Sequence, residues 1–335
     1  MRRAHCAHAL TRRTHAPPPL SHSQPQPQHT QTELRWFLED AVAGLAGPAG
    51  EPPPHPPPPD ALPAWSSLEP DARAAAGKAS AAPAVAWLRA PLADLTDRWT
   101  ARLAARVPFQ YTVGAAHWRD LVLAVGPGVL CPRPETEQLV DLAVAAVSAG
   151  DPPAGGAWAD VCTGSGAVAL GLVTGLRTAG LPAPRAVWAA DICPVAAGWA
   201  RANVARLGLG GSVAVVEGDL LAALPPGSLP LAGLVSNPPY IPSAQMPGLQ
   251  PEVGRHEPAL ALDGGDAAGL VTLARLCAAA PAALAPGGFL GLETAGHGQA
   301  EEVAGLLAAG GGMEAITVHD DVFGVARFVT AARKV

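Results

Sequence analysis

Four consecutive residues, Asn237-Pro238-Pro239-Tyr240, stand where an apolar run ends, in the stretch LAGLVSNPPYIPSAQ (231–245). Proline removes a ladder donor and fixes φ, so a buried strand has to stop there and hand over to something rigid. The residue types suit one chemical task. A carboxamide nitrogen is a poor nucleophile because its lone pair is delocalised into the carbonyl, and no side chain is basic enough to deprotonate it. It is activated when acceptors take hydrogen bonds from both of its N–H groups and hold the lone pair in line with an electrophile. Asn237 offers a side-chain oxygen. Pro238 offers a backbone carbonyl and no competing N–H, Pro239 stiffens the turn, and Tyr240 gives a flat face for a planar amide or base. A proline-rich turn with a core tyrosine has the same composition; the motifs upstream argue for the socket.

The first of these is AWADVCTGSGAVALGL (157–172), a short apolar strand with Asp160, a glycine-bearing turn and a helix. Gly164 and Gly166 let backbone approach a ligand, and the helix opens with free N–H groups. With Ala169 they meet G-x-G-x-x-A, which many nucleotide enzymes share. The next strand, AVWAAD, ends in Asp191, an acid placed to hold the two hydroxyls of a ribose. Together they indicate a nucleoside-type cofactor, although a tight turn with a capping aspartate would look alike. A third strand end, VVEGDLLAAL, carries Asp219 and Leu220. Asp219 is placed either to accept from an exocyclic amine such as adenine N6, with Leu220 against the ring, or to cap a helix.

These motifs require a scaffold. From Trp158 onward strands and helices alternate, which means a doubly wound, Rossmann-like α/β sheet with its ligand at the carboxyl ends of the strands. Upstream, 117–125 (HWRDLVLAV) alternates with strand period, Gly126-Pro127-Gly128 turns the chain, and Glu135–Ala149 reads as a helix. Residues 109–133 are expected to form a β-hairpin linker and 134–335 the catalytic domain. Residues 33–108 read as a small helical domain, with helices over Glu33–Leu45 and Ala84–Arg106, the second broken at Pro91. A proline-rich insert at about 47–63 interrupts it.

The chain resembles the PrmC/HemK family of S-adenosylmethionine-dependent methyltransferases. The resemblance runs in order from about residue 106 to 331, through RVPFQYTVGAAHWRDLVLAV, VLCPRPETEQLVD, DVCTGSGAVAL, WAADICPVAAGWARANVARLGL, VSNPPYIP, RHEPALALDGGDAAGL, LAPGGFLGLETAGHGQAEEV and FGVARFVTA. Asn-Pro-Pro-Tyr also occurs in enzymes that methylate exocyclic amines of nucleic acids; PRPETE and HEPALALDGG point to this family. It implies methylation of the glutamine side-chain nitrogen in the Gly-Gly-Gln motif of class 1 peptide chain release factors. It also implies a sheet ending in an antiparallel hairpin, an N-terminal domain that docks the release factor, and no metal. The cofactor would lie on Asp160, Cys162, Thr163, Gly164, Ser165, Gly166, Asp191, Asp219, Leu220 and Asn237, the substrate amide on Asn237 through Tyr240. Where the family usually has glycine this chain has Cys162, whose Cβ crowds the cofactor unless φ there is negative; a cofactor-binding protein without activity is the resulting alternative. Position 220 is often aromatic in the family, and Ala295 is a one-residue insertion. His256 and Glu293 carry no expected role, the first as a surface-loop histidine and the second as a cap for the next helix.

Composition bounds the setting. Cys6, Cys131, Cys162, Cys193 and Cys277 are scattered without a CxxC pair, which argues against a zinc site or disulfide framework. No apolar run spans a bilayer; the best, 271–292, holds Arg275 and two prolines and reads as a buried helix followed by a strand. Residues 1–32 carry four arginines, five histidines and no acid, the composition of an organelle transit peptide. Without them the formal charge moves from −6 to about −10, 18 basic against 28 acidic residues. An acidic body disfavours stable nucleic-acid binding. The expectation is a monomeric enzyme of an organelle, plastid before mitochondrion because the wording is closest to cyanobacterial-type relatives, and cytoplasmic if the N-terminus is no transit peptide.

Overall fold

The computed structural model describes residues 33, 34, 37, 42–46, 85–88, 92–265, 267–296 and 298–335. The expected transit peptide (1–32) and proline-rich insert (47–63) lie outside them. In the N-terminal part, Glu33, Leu34 and Phe37 are helical, but Val42–Ala46 (β1) and Val85–Leu88 (β2) are strands paired antiparallel. This corrects the two helices read there. Gly44 costs a helix about 1 kcal/mol, and Val42 and Val85 are β-branched residues that favour a strand with a partner available. Helix α1 (Leu92–Ala105) starts directly after Pro91, where the break was expected. Phe37 packs on its Trp99 with ring centroids 5.4 Å apart.

After the short helix α2 (Phe109–Val113), strands β3 (Ala115–Trp118) and β4 (Leu121–Ala124) form an antiparallel hairpin. The alternating stretch 117–125 is therefore two strands turning at Arg119-Asp120, with Gly126-Pro127-Gly128 following the second. Arg119 sits at φ 51°, in the left-handed region a tight turn requires. Trp118 is buried over α4 (Ala167–Thr178), where a Cβ on Gly171 would come within 2.7 Å of its ring. A mid-helix glycine is thus what seats the hairpin.

The main sheet has seven strands in the order β10-β11-β9-β8-β5-β6-β7. The strands are β5 (Trp158–Val161), β6 (Val187–Asp191), β7 (Val213–Glu217), β8 (Leu231–Ser236), β9 (Leu284–Glu293), β10 (Met313–Asp320) and β11 (Ala326–Arg333). The first five of these run parallel; β11 is antiparallel to both β9 and β10. Central strands β5 and β8 are buried at every position, as strands covered on both faces must be. One face packs under α3 (Glu137–Ala149) and α4, with Leu139, Leu170 and Leu176 fully buried. The other packs under α6 (Val271–Ala283) and α7 (Gln299–Gly310), with Leu273, Leu276 and Val303. The stretch 271–292 is a helix and a strand, and no helix among the described residues is long and apolar enough to cross a membrane. Helix α5 (Pro194–Arg206) links β6 to β7. Strand order reverses between β5 and β8, so a crevice opens at their carboxyl ends.

Candidate active site

The glycine-loop motifs converge at the carboxyl ends of β5 and β6. Asp160 is buried; its Oδ2 accepts from Thr163 Oγ1 (2.6 Å) and the Ala169 amide (3.0 Å). Its Oδ1 is buried without a hydrogen-bond partner, and burial pushes the carboxyl pKa up to about 7. Asp191 accepts from the Gly164 amide (2.8 Å) and the Cys193 amide (2.9 Å). It therefore does organise the turn, and each oxygen keeps a second lone pair for a hydroxyl donor. Burial raises its pKa as well. The Ser165 carbonyl accepts from Asn203 Nδ2 (3.0 Å), and the same amide brackets Ala124 of the hairpin through its carbonyl (3.0 Å) and N–H (2.7 Å). Asn203 on α5 thus fastens hairpin and glycine loop to one point. It lies inside WARANVARLGL, where a buried asparagine on an apolar helix face was the available signal.

Gly164 (φ 56°) and Gly166 (φ 85°) are left-handed, as is Cys162 (φ 62°). The negative φ that would have turned the Cys162 side chain away is not there. An L-residue in that region is strained by about 1 kcal/mol or more. The thiol is half-buried near Asp191, Asp160 and Ser236, and desolvation first, then the carboxylates, push its pKa to about 12. Asp219 precedes a 3-10 turn (Leu220–Ala223) but makes no capping bond. It pairs instead with Arg275 of α6 at 2.5 Å, and Leu220 is held at φ 48°. The structure therefore brings Asp160, Thr163, Gly164 and Asp191 into one hydrogen-bonded cradle, while Asp219 stands at its edge, already paired.

At the end of β8, Asn237 donates from Nδ2 to Thr136 Oγ1 (3.0 Å). That bond fixes the amide so that Oδ1 is its acceptor end. Pro238 lies past the last ladder pair, Val161 with Ser236 and Ser236 with Leu292, so its carbonyl plays no part in the sheet. The turn is clamped from three sides. Gln299 Nε2 donates to the Tyr240 carbonyl (3.0 Å) and the Ala268 carbonyl (2.7 Å). Ile241 pairs with the LDGG segment, its amide on the Leu262 carbonyl (2.9 Å) and its carbonyl under the Gly264 amide (2.8 Å). Gly269 approaches so closely that a Cβ there would lie 2.1 Å from the Tyr240 carbonyl oxygen. Gln299 was not foreseen; Ala295 beside it donates its amide to Gln299 Oε1 (2.7 Å), so the inserted residue serves the clamp.

The PRPETE and HEPAL motifs meet over this turn. Arg133 forms a two-pronged pair with Glu257, one bond at 3.0 Å, and Glu257 also accepts from the Cys131 amide (3.0 Å). The Arg133 carbonyl receives Trp118 Nε1 (2.8 Å), tying the clamp to the hairpin. A cavity of about 310 Å³ opens beside the turn, lined by Leu130, Arg133, Asn237, Tyr240, Gln250 and Val253 among others. It is mostly apolar with Asn237 at one wall, large enough for an extended side chain with its backbone. A second hollow of about 250 Å³, around Trp158, Pro153 and Pro184, sits at the opposite end of the strands from the glycine loop and the Asn-Pro-Pro-Tyr turn. His256 does have a partner, Nε2 lying 2.8 Å from the Ala105 carbonyl. Among the described residues no cluster of metal-ligating side chains occurs.

No family model matches the chain. Curated relatives do. The release factor glutamine methyltransferase of Thermosynechococcus vestitus is 41% identical over 246 residues, 73% of this chain and 80% of that protein. The enzyme of the same description from Gloeobacter violaceus is 41% identical over 242 residues, 72% and 80% of the two chains. That of Moorella thermoacetica is 42% identical over 234 residues, 70% and 77%. Among solved structures, the release-factor-specific protein-(glutamine-N5) methyltransferase of Alicyclobacillus acidocaldarius shares 29% identity. It covers 64% of this chain and all of its own, with a TM-score of 0.36.

Proposed function

The chain belongs to the release factor glutamine methyltransferases, S-adenosylmethionine-dependent enzymes, and from that premise we propose that it methylates the Gly-Gly-Gln glutamine of an organellar class 1 release factor. The observation that carries the proposal is the orientation of Asn237. Its Nδ2 is occupied by Thr136, so Oδ1 is left as an acceptor on the wall of an apolar cavity, and the Pro238 carbonyl, outside the sheet ladder, is the second acceptor this reading assigns. A primary amide has two N–H donors. Satisfying both fixes the nitrogen's plane and concentrates its lone pair toward the cofactor side.

The cradle fits the cofactor. The unpartnered buried Oδ1 of Asp160 lacks one donor, and the ammonium of an amino-acid moiety is such a donor. Gly164 and Gly166 leave room for it, Asp191 has lone pairs left for the ribose hydroxyls, and Leu220 offers an apolar face for the base. S-adenosylmethionine, when bound, supplies an electrophilic methyl on a sulfonium. The protein's share is positioning. Tyr240 stacks the amide plane, Asn237 and Pro238 take its two N–H groups, and Glu257 and Arg133 hold the wall. No side chain has to deprotonate the amide beforehand, because its proton becomes strongly acidic once the new N–C bond exists and then passes to water. Helix α1 fits a docking role. It is tied to the rim of the cavity by Arg102 to Glu252 (3.1 Å) and by His256 to Ala105 (2.8 Å).

The organelle rests on composition, the acid-free, arginine-rich residues 1–32, and on the cyanobacterial relatives, which favour plastid over mitochondrion. The test is methyl transfer from labelled S-adenosylmethionine to a recombinant plastid release factor. A second arm uses the same factor with Gln→Ala in its Gly-Gly-Gln loop. Label on the first only is the expected result; label on both, or on neither while the cofactor still binds, overturns the proposal.

A further inference from the structure

Glu293 ends β9 directly beneath the Asn-Pro-Pro-Tyr turn and is 0% exposed. It does not cap the helix that follows, because α7 opens at Gly298 with no side-chain cap. Its Oε1 accepts from the Tyr240 hydroxyl at 3.3 Å, and its Oε2 is buried without a partner. Thr136 is buried as well. The Thr136 oxygen is already accepting from Asn237 (3.0 Å), so its single proton must point elsewhere. Glu293 keeps one oxygen, Oε2, without a partner, and the Thr136 hydroxyl is near enough to hold the Glu293 pKa down against burial.

We propose that Glu293 is a positioning residue for methyl transfer, taking the hydroxyl protons of Thr136 and Tyr240 and so fixing Asn237 and Tyr240, the two ends of the turn, in their working orientation. The inference rests on the amide-methylation reading above. A carboxylate is suited to this task because it accepts at both oxygens and donates from neither. An amide or a protonated acid in its place would aim a donor at one of the two hydroxyls. Thr136 would then turn its proton toward Asn237 Nδ2, and the Asn237 amide would lose the bond that points Oδ1 at the substrate.

The carboxyl titrates where this can be read. Burial first, and Glu135 with it, push its pKa up to about 7, while Thr136, Arg327 and Tyr240 pull it down. Those are the groups facing it from the segment before α3, from β11 and from the turn. Arg327 is itself paired with Asp321 at 2.7 Å, and among the described residues Glu293 has no ion pair of its own. Arg133 acts one residue further off, on Tyr240. Protonation as pH falls through about 7 therefore removes the second acceptor and lowers kcat.

The test is steady-state methylation of the release factor by the full chain between pH 5.5 and 8.5. Wild type, Glu293→Gln, Thr136→Val, Thr136→Ser and the double variant Glu293→Gln/Thr136→Val are compared, with thermal melting as the folding control. Expected is a fall in kcat of about tenfold or more in Glu293→Gln and in Thr136→Val. The KM for the release factor stays within about twofold. The acid limb near pH 7 disappears in Glu293→Gln, Thr136→Ser recovers most of the loss, and the double variant falls little below either single one. Should Glu293→Gln fail to fold, the Thr136 pair decides alone. An unchanged kcat in Thr136→Val, or an acid limb retained by a folded Glu293→Gln, overturns the inference. A wild type that labels nothing defeats the amide reading instead, and the two failures are distinguishable.

Discussion

Replacing Glu257 by Gln tests whether the clamp between PRPETE and HEPAL holds the site wall together. Glu257 has a side chain 1% exposed and accepts three hydrogen bonds, two from Arg133 and one from the Cys131 amide. Gln keeps the shape but turns an NH₂ toward one of those donors and leaves the Arg133 charge unmatched. Breaking a fully buried pair from one side costs about 3–5 kcal/mol. Arg133 keeps 30% of its side chain in solvent, so water offsets part of the loss and about 2–3 kcal/mol remains. For a catalytic body of this size that is a drop in melting temperature of about 4–12 °C, read by calorimetry or by circular dichroism. Adding Arg133→Met removes the stranded charge, and the double variant should regain at least half of the drop, since no unpaired charge remains and the glutamine oxygen still accepts from the Cys131 amide. The Trp118 bond to the Arg133 carbonyl survives that change, so the hairpin stays seated. A shift below about 2 °C for Glu257→Gln, or no recovery in the double variant, would refute the reasoning.

Three further outcomes follow from the same geometry. Asn237→Ala removes the acceptor that Thr136 orients and should lower kcat by about 10²–10³, as loss of one preorganised donor or acceptor does elsewhere; pre-steady-state kinetics with the release factor would measure it. Cys162→Gly relieves the left-handed strain at φ 62°. It should leave stability within about 1 kcal/mol, because the relief offsets the entropy glycine adds to the unfolded chain, and should tighten S-adenosylmethionine binding by calorimetry; weaker binding would count against a crowded Cys162. Asp160, with its pKa near 7, is partly protonated at pH 6.5, and a cationic ammonium beside it favours the ionised form. Cofactor binding at that pH should release a fraction of a proton, seen as a dependence on buffer ionisation enthalpy, and Asp160→Asn should abolish it.

The parts of this architecture that were legible from residues are those governed by local rules. Alternation of strand and helix after Trp158 and the prolines that end β8 need no partner to be read. The helical reading failed over residues 42–45 because a strand's partner, here Val85–Leu88, lies about forty residues away across the proline-rich stretch and leaves no local trace. The hairpin turn at Arg119-Asp120 was hidden because it lacks the usual glycine or asparagine, and Arg119 takes the left-handed conformation itself. At the proposed site, the residues of the Asn-Pro-Pro-Tyr turn were visible as types, but the groups that hold that turn were not. Glu293 looked like a helix cap, and Gln299 and Asn203 drew no notice, because what they do depends on which strand or loop lies above them. Asp219 shows the converse. Its place at a strand end suggested a ligand contact or a cap, whereas its nearest partner is Arg275, brought in by α6 from 56 residues downstream.

The central claim is that one side-chain nitrogen of a release factor receives the methyl group. Its most direct test is tandem mass spectrometry of a plastid release factor after incubation with the full chain and S-adenosylmethionine, set beside the same reaction with Asn237→Ala. The account predicts a single added methyl, placed by fragment ions on the glutamine side chain of the Gly-Gly-Gln peptide, and much reduced with the variant. A methyl on another residue, or equal methylation by Asn237→Ala, would contradict it.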